Sequence, residues 1–155
     1  MFSYNMSNAK AEINGGNTYS KIKGQVYFKE TKDGVIVTAK IHRLPISKNN
    51  CKGNFFGFHI HEGNSCTGNL EDEFANVKTH YNPTNCPHPL HIGDLPPLLE
   101  NNGYAYMSVL INKFKVSDII GKTVIIHDMP DDFTTQPSGN SGKKLHVELY
   151  EKVIK

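Results

Sequence analysis

Apolar and polar residues alternate in several short runs near the start of the chain, with the period of two that a half-buried β-strand produces. The first run covers residues 9–13, and the second covers residues 22–28. A third run at residues 35–41 follows a tight turn with a glycine at residues 32–34. The second and third runs are therefore predicted to form a β-hairpin.

Strand-like patterns return further along the chain. Alternation covers residues 105–109 and 145–149, and two apolar runs of strand length lie at residues 55–61 and 123–127. Residues 116–120 predict one helical turn, and no segment predicts a long helix. Because turn residues separate the runs at regular intervals, we predict an all-β fold, an antiparallel sandwich or flattened barrel of seven or eight strands.

The size of the chain sets the number of domains that we expect. With 155 residues, of which 37% are hydrophobic and 21% charged, it can bury one ordinary core, so we expect a single domain over residues 1–155. Residues 1–8 carry no clear pattern and are candidates for disorder.

No apolar run is long enough for a membrane span, and the first residues do not resemble a signal peptide. We therefore expect no membrane partner and a cytoplasmic location, although a sequence from which an export signal had been removed would look the same. The 17 basic and 15 acidic residues give a net charge of +2, which is too mild and dispersed for a nucleic-acid groove. We expect no nucleic-acid partner.

Histidines concentrate between Gly57 and Asp94, where five of the eight lie: His59, His61, His80, His88 and His91. The first two are two positions apart, so on a strand both rings point to the same face. Neutral imidazoles bind transition metals, and a dense group of them beside an aspartate is typical of a metal site. The connection that follows this strand is about forty residues long, which favours a functional role for it.

Three cysteines, Cys51, Cys66 and Cys86, do not form a zinc motif, because no two are spaced as Cys-x-x-Cys. They can form one intramolecular bridge at most. If one forms, we predict Cys66 with Cys86, because both lie in the long connection and a bridge would restrict it. Three free thiols in a reducing compartment are the alternative.

Four short motifs resemble, in order and spacing, those of copper-zinc superoxide dismutases. They are Gly57-Phe-His-Ile-His-Glu, His80-Tyr-Asn-Pro, His91-Ile-Gly-Asp-Leu, and Val124-Ile-Ile-His127 followed by Asp131-Asp132. The resemblance covers roughly residues 9–150. It implies an eight-stranded Greek-key sandwich or flattened barrel with long metal-binding and electrostatic loops.

The resemblance also implies the cofactors, copper and zinc. The implied copper ligands are His59, His61, His80 and His127, and the implied zinc ligands are His80, His88, His91 and Asp94. His80 would bind both metals, which requires an imidazolate that two divalent charges stabilise. Imidazoles with an open position suit redox-active copper, and three nitrogens with one carboxylate suit zinc. Asp131 matches a carboxylate that accepts hydrogen bonds from one ligand of each metal.

The activity implied by the resemblance is an antioxidant one, the disproportionation of the superoxide anion to oxygen and hydrogen peroxide. His80 would release copper on reduction, take up a proton and deliver it to a second superoxide. Lys144 stands where the family has an arginine that steers and docks the anion. Lysine keeps the charge but lacks the planar fork of arginine, so docking is expected to be looser.

Two further departures from the family pattern affect the loops. Val147 stands where the family has the second cysteine of a disulfide, so Cys66 lacks its usual partner. The rigidity of the loop and the formation of a homodimer therefore stay open. Only two residues separate His88 from His91, a shorter spacing than is common in the family, and displacement of His88 from the site is an alternative.

Two other classes of function remain alongside the enzyme. One is a copper- and zinc-binding relative with weak or no dismutase activity, which the replacement of the arginine by Lys144 slightly favours. The other is a metal-free interaction sandwich, which is disfavoured because none of the implied ligands is missing.

Overall fold

The structure is a computed structural model that describes residues 8–47, 53–149 and 151–153. Within these ranges the chain forms ten strands: β1 (Asn8–Asn14), β2 (Lys23–Thr31), β3 (Gly34–His42), β4 (Phe55–Phe56), β5 (Phe58–His61), β6 (Leu98–Leu99), β7 (Tyr104–Ile111), β8 (Thr123–His127), β9 (Lys144–Leu149) and β10 (Glu151–Val153). The helical elements are short: α1 (Val116–Ile119) and two 3₁₀ turns, Asn17–Tyr19 and Ala75–Val77.

These strands form antiparallel sheets. One sheet has the strand order β10-β1-β2-β3-β7, a second has the order β5-β8-β9, and β4 pairs with β6 alone. Strands β3 and β7 are neighbours although three other strands lie between them in sequence, so the chain crosses between the sheets and returns. The sheets do not close on themselves, and the predicted antiparallel all-β fold is confirmed in its flattened sandwich form.

The predicted hairpin is present as β2 and β3, paired from Lys23 with His42 to Thr31 with Gly34. Gly34 has a φ of +140°, and a Cβ at this position would lie 2.6 Å from the carbonyl oxygen of Ile111. Glycine is therefore needed at this corner for both its conformation and its size. The single helical turn predicted near residue 116 is also present, as α1.

The core lies between the two larger sheets. Alternate residues of β2 and β3 point into it, and Phe58 and Ile60 of β5 and Val124 and Ile126 of β8 meet them from the other side. Burying a side chain of this size contributes about 1.5–3 kcal/mol. All four residues of β5 and all five of β8 are buried, so the faces of these strands that point away from the core are covered as well.

Other sequence expectations fall partly outside the described ranges. Asn8 belongs to β1, whereas residues 1–7 and Cys51 lie outside the described residues. No helix in the ranges that the structure describes has the length and apolar character of a membrane span.

Candidate metal centre

Two strands of the β5-β8-β9 sheet carry candidate ligands on the side away from the core. His59 and His61 alternate with the core residues of β5, so their rings point toward the covering loops. Strand β8 ends at His127, whose backbone N–H donates to the carbonyl of Gly57 at 2.8 Å. This bond places His127 beside the start of β5.

The loop that follows β5 is hydrogen-bonded back onto that strand. Ile60 accepts a bond from the Tyr81 N–H at 2.8 Å and donates one to the Gly93 carbonyl at 2.9 Å. A Cβ on Gly93 would collide with the Ile60 carbonyl oxygen, so the close approach requires glycine. His80 and Asp94, which adjoin Tyr81 and Gly93, are thereby held alongside β5.

Four buried histidines form the first cluster, with one ring nitrogen of each within 4.8 Å of the others: His59, His61, His80 and His127. The Nε2 atoms of His61 and His127 are 3.3 Å apart. The Nδ1 of His61 donates to the Lys78 carbonyl at 2.9 Å, and the Nδ1 of His127 faces the Gly142 carbonyl at 3.5 Å. Both rings therefore turn Nε2 toward the cluster.

Nδ1 of His59 and Nε2 of His80 are buried and have no hydrogen-bond partner among the described residues. An unsatisfied polar atom in the interior costs about 1–3 kcal/mol, which a bound ligand would remove. Together with the Nε2 atoms of His61 and His127, these atoms give a set of four imidazole donors. That set fits a copper ion.

The second cluster contains three imidazoles and one carboxylate, with ligand atoms within 4.8 Å of one another: His80, His88, His91 and Asp94. His80 Nδ1 lies 2.8 Å from one oxygen of Asp94, and His88 Nδ1 lies 3.0 Å from the other, although this second contact lacks hydrogen-bond alignment. His91 Nδ1 lies 3.5 Å from His80 Nδ1. Three nitrogens and one oxygen grouped in this way fit tetrahedral zinc.

Asp131 connects the two clusters, because its carboxylate contacts one histidine of each. Its Oδ2 lies 2.7 Å from His59 Nε2, its Oδ1 lies 2.8 Å from His88 Nε2, and it also accepts a bond from the Phe133 N–H at 2.7 Å. Burial raises the pKa of the Asp131 carboxyl, but these hydrogen bonds outweigh burial and hold the pKa well below its usual range. An ionised Asp131 can only accept, so both histidines donate from Nε2 and present Nδ1 to the clusters.

The environment also fixes the charge of three imidazoles in the first cluster, those of His59, His61 and His127. Burial lowers the pKa of His59 to about 4, and it lowers the pKa values of His61 and His127 well below the ordinary value. These rings are therefore neutral at pH 7, which is the form that binds metals.

The structure brings together the seven predicted metal ligands and Asp131: His59, His61, His80, His88, His91, Asp94, His127 and Asp131. His88 lies inside the second cluster despite the short spacing to His91, so the displacement considered from the sequence does not occur. His80 belongs to both clusters, with Nδ1 in one and Nε2 in the other.

Lys144 starts strand β9 and is the pairing partner of His127 in the sheet. Its ammonium lies 2.5 Å from Asp72 Oδ2 and donates to the Phe74 carbonyl at 3.3 Å. The predicted cation is therefore present next to the first cluster, but its charge is paired. The anion-steering role of Lys144 stays a prediction.

The surface around Lys144 is a cavity of about 750 Å³ whose lining is more acidic than basic. Its charged residues are two lysines and four acidic residues: Lys143, Lys144, Glu71, Asp72, Glu73 and Asp128. An approaching anion therefore meets carboxylates as well as the two lysines.

Three further residues around the clusters were not found from the sequence. Gln136 contacts the backbone of His88, and Asp72 pairs with Lys144. Lys113 donates to the carbonyls of two candidate zinc ligands, at 3.3 and 3.4 Å. No local pattern marks these residues, because each contact joins segments that are distant in sequence.

The structure does not join Cys66 to Cys86, so the bridge that the sequence favoured in case one formed is absent among the described residues, and Cys51 lies outside them. Cys66 packs against the cluster of Phe74, Val77 and Ile125 beneath the loop. Cys86 is a free thiol in a separate turn, which Asn82 fixes through hydrogen bonds of 2.8 and 3.0 Å to the Cys86 backbone.

Comparison with known proteins gives a consistent result. Residues 22–147 match the family model described as copper/zinc superoxide dismutase. The chain is 28% identical over 144 residues to superoxide dismutase [Cu-Zn] 2 of Aquifex aeolicus, covering 83% of this chain and 79% of the relative. It is 34% identical over 146 residues to the superoxide dismutase-like protein YojM of Bacillus subtilis, covering 83% of this chain and 69% of the relative.

A solved structure shows the same fold. The Cu/Zn superoxide dismutase from Brucella abortus superposes with a TM-score of 0.77 at 22% sequence identity, and the match covers 93% of this chain and 99% of that protein.

Proposed function

The chain belongs to the copper/zinc superoxide dismutase family of oxidoreductases, and we propose that it disproportionates superoxide at a copper site that His80 joins to a zinc site. The observation that carries this proposal is the environment of the His80 ring. Its Nδ1 lies 2.8 Å from Asp94 in one cluster, and its buried Nε2 has no hydrogen-bond partner in the part of the chain that the structure describes, which leaves it free for the other cluster.

Each metal has its own set of atoms in this proposal. Copper would be held by His59 Nδ1 and by the Nε2 atoms of His61, His80 and His127, and zinc by the Nδ1 atoms of His80, His88 and His91 with Asp94. Bound copper would supply the one-electron redox change, and bound zinc would supply fixed positive charge without redox chemistry.

His80 would also supply one of the two protons that the formation of hydrogen peroxide requires. When Nε2 carries a proton instead of holding copper, the contact of Nδ1 with Asp94 would keep that proton pointing toward the first cluster. From that position His80 could give the proton to superoxide as it is reduced.

Lys144 would attract the anion to this site. It lies beside His127 in the sheet, and a cation at an entrance raises the rate of encounter with an anionic substrate. Its pairing with Asp72 reduces that effect, since the neighbouring carboxylate cancels much of the field at a distance.

A second candidate function is a copper- and zinc-binding protein with weak dismutase activity. The observation that favours it is the lining of the cavity at Lys144, where four acidic residues outnumber two lysines. Such a surface would attract superoxide less than a cationic one, while leaving the metal clusters intact.

Metal analysis and a superoxide-removal assay on the same preparation would test the proposal. The expected result is one copper and one zinc per chain, with superoxide removal far above that of the metal-free chain. Full metal content without superoxide removal would favour the second candidate. A chain that takes up neither metal under these conditions would contradict both.

A further inference from the structure

Gln136 lies in the loop between β8 and β9, and its side-chain amide contacts the backbone of His88 at two points. Its Oε1 accepts a hydrogen bond from the His88 N–H at 2.9 Å, and its Nε2 donates one to the His88 carbonyl at 2.7 Å. A carboxamide carries the same donor and acceptor as a peptide group, so Gln136 pairs with the His88 backbone as one residue of an antiparallel strand pairs with its neighbour. The two residues are 48 positions apart in sequence.

The same loop also holds the ring of His88, because Asp131 accepts a bond from Nε2 at 2.8 Å. Three hydrogen bonds from one loop therefore fix both the backbone and the ring of His88. The side chain is fully buried, and its remaining nitrogen, Nδ1, lies 3.0 Å from Asp94. Nδ1 is the atom left to bind a metal.

The segment that carries His88 is short. Only Pro89 and Leu90 separate it from His91, and the turn closes through a bond from the Leu90 N–H to the Pro87 carbonyl at 2.8 Å. That bond does not involve the backbone of His88. The His88 N–H and carbonyl are instead satisfied by Gln136, so the position of this ligand depends on the other loop.

We propose that Gln136 is a positioning residue for zinc, which holds His88 so that Nδ1 points into the cluster with His80, His91 and Asp94. The inference rests on the zinc site of the proposed function. Partners that orient metal ligands typically contribute 10–100-fold to metal affinity, so loss of Gln136 is expected to weaken zinc binding by roughly that factor. The copper cluster does not contain His88, so copper binding is expected to change little.

The test compares Gln136→Ala and Gln136→Glu with wild type. Glu keeps an oxygen that accepts from the His88 N–H but has no donor for the His88 carbonyl, so its zinc affinity should be intermediate. Thr134→Ala is the matched control, because Thr134 is exposed on the same loop and its hydroxyl bonds Asp132 and not His88. Gln136 is itself exposed, so these changes do not remove core contacts.

Two readouts are independent of enzyme activity. Zinc and copper dissociation constants are measured separately by competition with a chelator. Cobalt loaded into the zinc site then reports the ligand geometry through its visible absorption. We expect Gln136→Ala to bind zinc at least about 10-fold more weakly and to change the cobalt spectrum, while its copper affinity and the Thr134→Ala control stay near wild type.

The outcomes separate this inference from the proposed function. A wild-type chain that binds no zinc would overturn both. A wild type that binds zinc, with unchanged affinity and cobalt spectrum in Gln136→Ala, would overturn the role of Gln136 and leave the zinc site standing. Equal losses of zinc and copper affinity would also overturn it, because they would indicate general support of the fold.

Discussion

Lys144 and Asp72 form an ion pair that joins strand β9 to the loop after β5, with 2.5 Å between Nζ and Oδ2. The Asp72 carboxylate also accepts a hydrogen bond from the Phe74 N–H at 2.9 Å, so Asp72 links Lys144 to the backbone of the loop. Burial raises the pKa of Asp72, but the hydrogen bond from Lys144 helps to lower it overall. Lys144 lies in the same strand as Val147, the position at which the resemblance places the family's second disulfide cysteine.

The pair is a weak replacement for a covalent link. The Asp72 side chain is 44% exposed and the Lys144 side chain is 19% exposed, so solvent screens their attraction. Pairs of this kind contribute at most about 1 kcal/mol, whereas a native disulfide contributes about 2–5 kcal/mol. The loop is therefore held at this point mainly by the packing of Phe74 and Val77 against Ile125.

The first prediction concerns His80, which the two clusters share. His80→Ala is expected to lower the copper and zinc contents together, because it removes one ligand from each site. His42→Ala is the matched control, since His42 is an exposed histidine that stacks on Tyr104. Elemental analysis of both variants after the same copper and zinc loading measures the effect. Copper and zinc contents that stay unchanged in His80→Ala would contradict the shared site.

The second prediction concerns Asp131. Asp131→Asn keeps the shape but removes the charge that fixes His59 and His88 as donors, so the affinities for both metals should fall by roughly 10–100-fold. Asp132→Asn is the control, because the exposed Asp132 side chain bonds only Thr134 and Thr135 among the residues that the structure describes. Metal competition measures both variants, and equal affinities for the two would contradict the role of Asp131.

Much of this centre could be predicted from the sequence. The period of two placed His59 and His61 on one face of a strand. The resemblance supplied the remaining ligands, because four motifs kept their order. In each of these cases the information lies within a short segment of the chain.

The contacts that could not be predicted join distant segments. Gln136 meets His88 over 48 residues, and Asp72 meets Lys144 over 72. These pairs depend on how two irregular loops pack together, and no periodicity specifies that packing. The same holds for Cys66 and Cys86, which the structure leaves unjoined, since membership of one loop does not by itself bring two thiols together.

The third prediction concerns the charge of Lys144. Lys144→Arg is expected to raise the rate of superoxide removal, because the planar fork can dock the anion, and Lys144→Glu is expected to lower it. The wild-type rate should fall as salt rises, since screening limits the reach of a charge to about 8 Å at physiological ionic strength. Stopped-flow rates on fully metallated variants would measure this. A rate that does not change with salt concentration or with either substitution would place Lys144 outside the path of the substrate.

The last prediction concerns Asp72, because it decides whether the ion pair limits the enzyme. Asp72→Asn leaves the Lys144 charge without its partner and removes one negative charge from the cavity lining, so the rate at low salt should rise by roughly two- to five-fold. The gain should fade toward 1 M salt, where the screening length is about 3 Å.

Glu71→Gln removes the same charge from the same lining but leaves the Lys144–Asp72 pair intact, so a smaller gain is expected for this control variant. The double variant Asp72→Asn with Lys144→Met leaves the net charge of the lining as in wild type and removes the cation that Asp72 masks, so it should show no gain over wild type. A slower Asp72→Asn enzyme with full metal content at every salt concentration would mean that the pair serves to hold the loop, and that Lys144 does not steer superoxide.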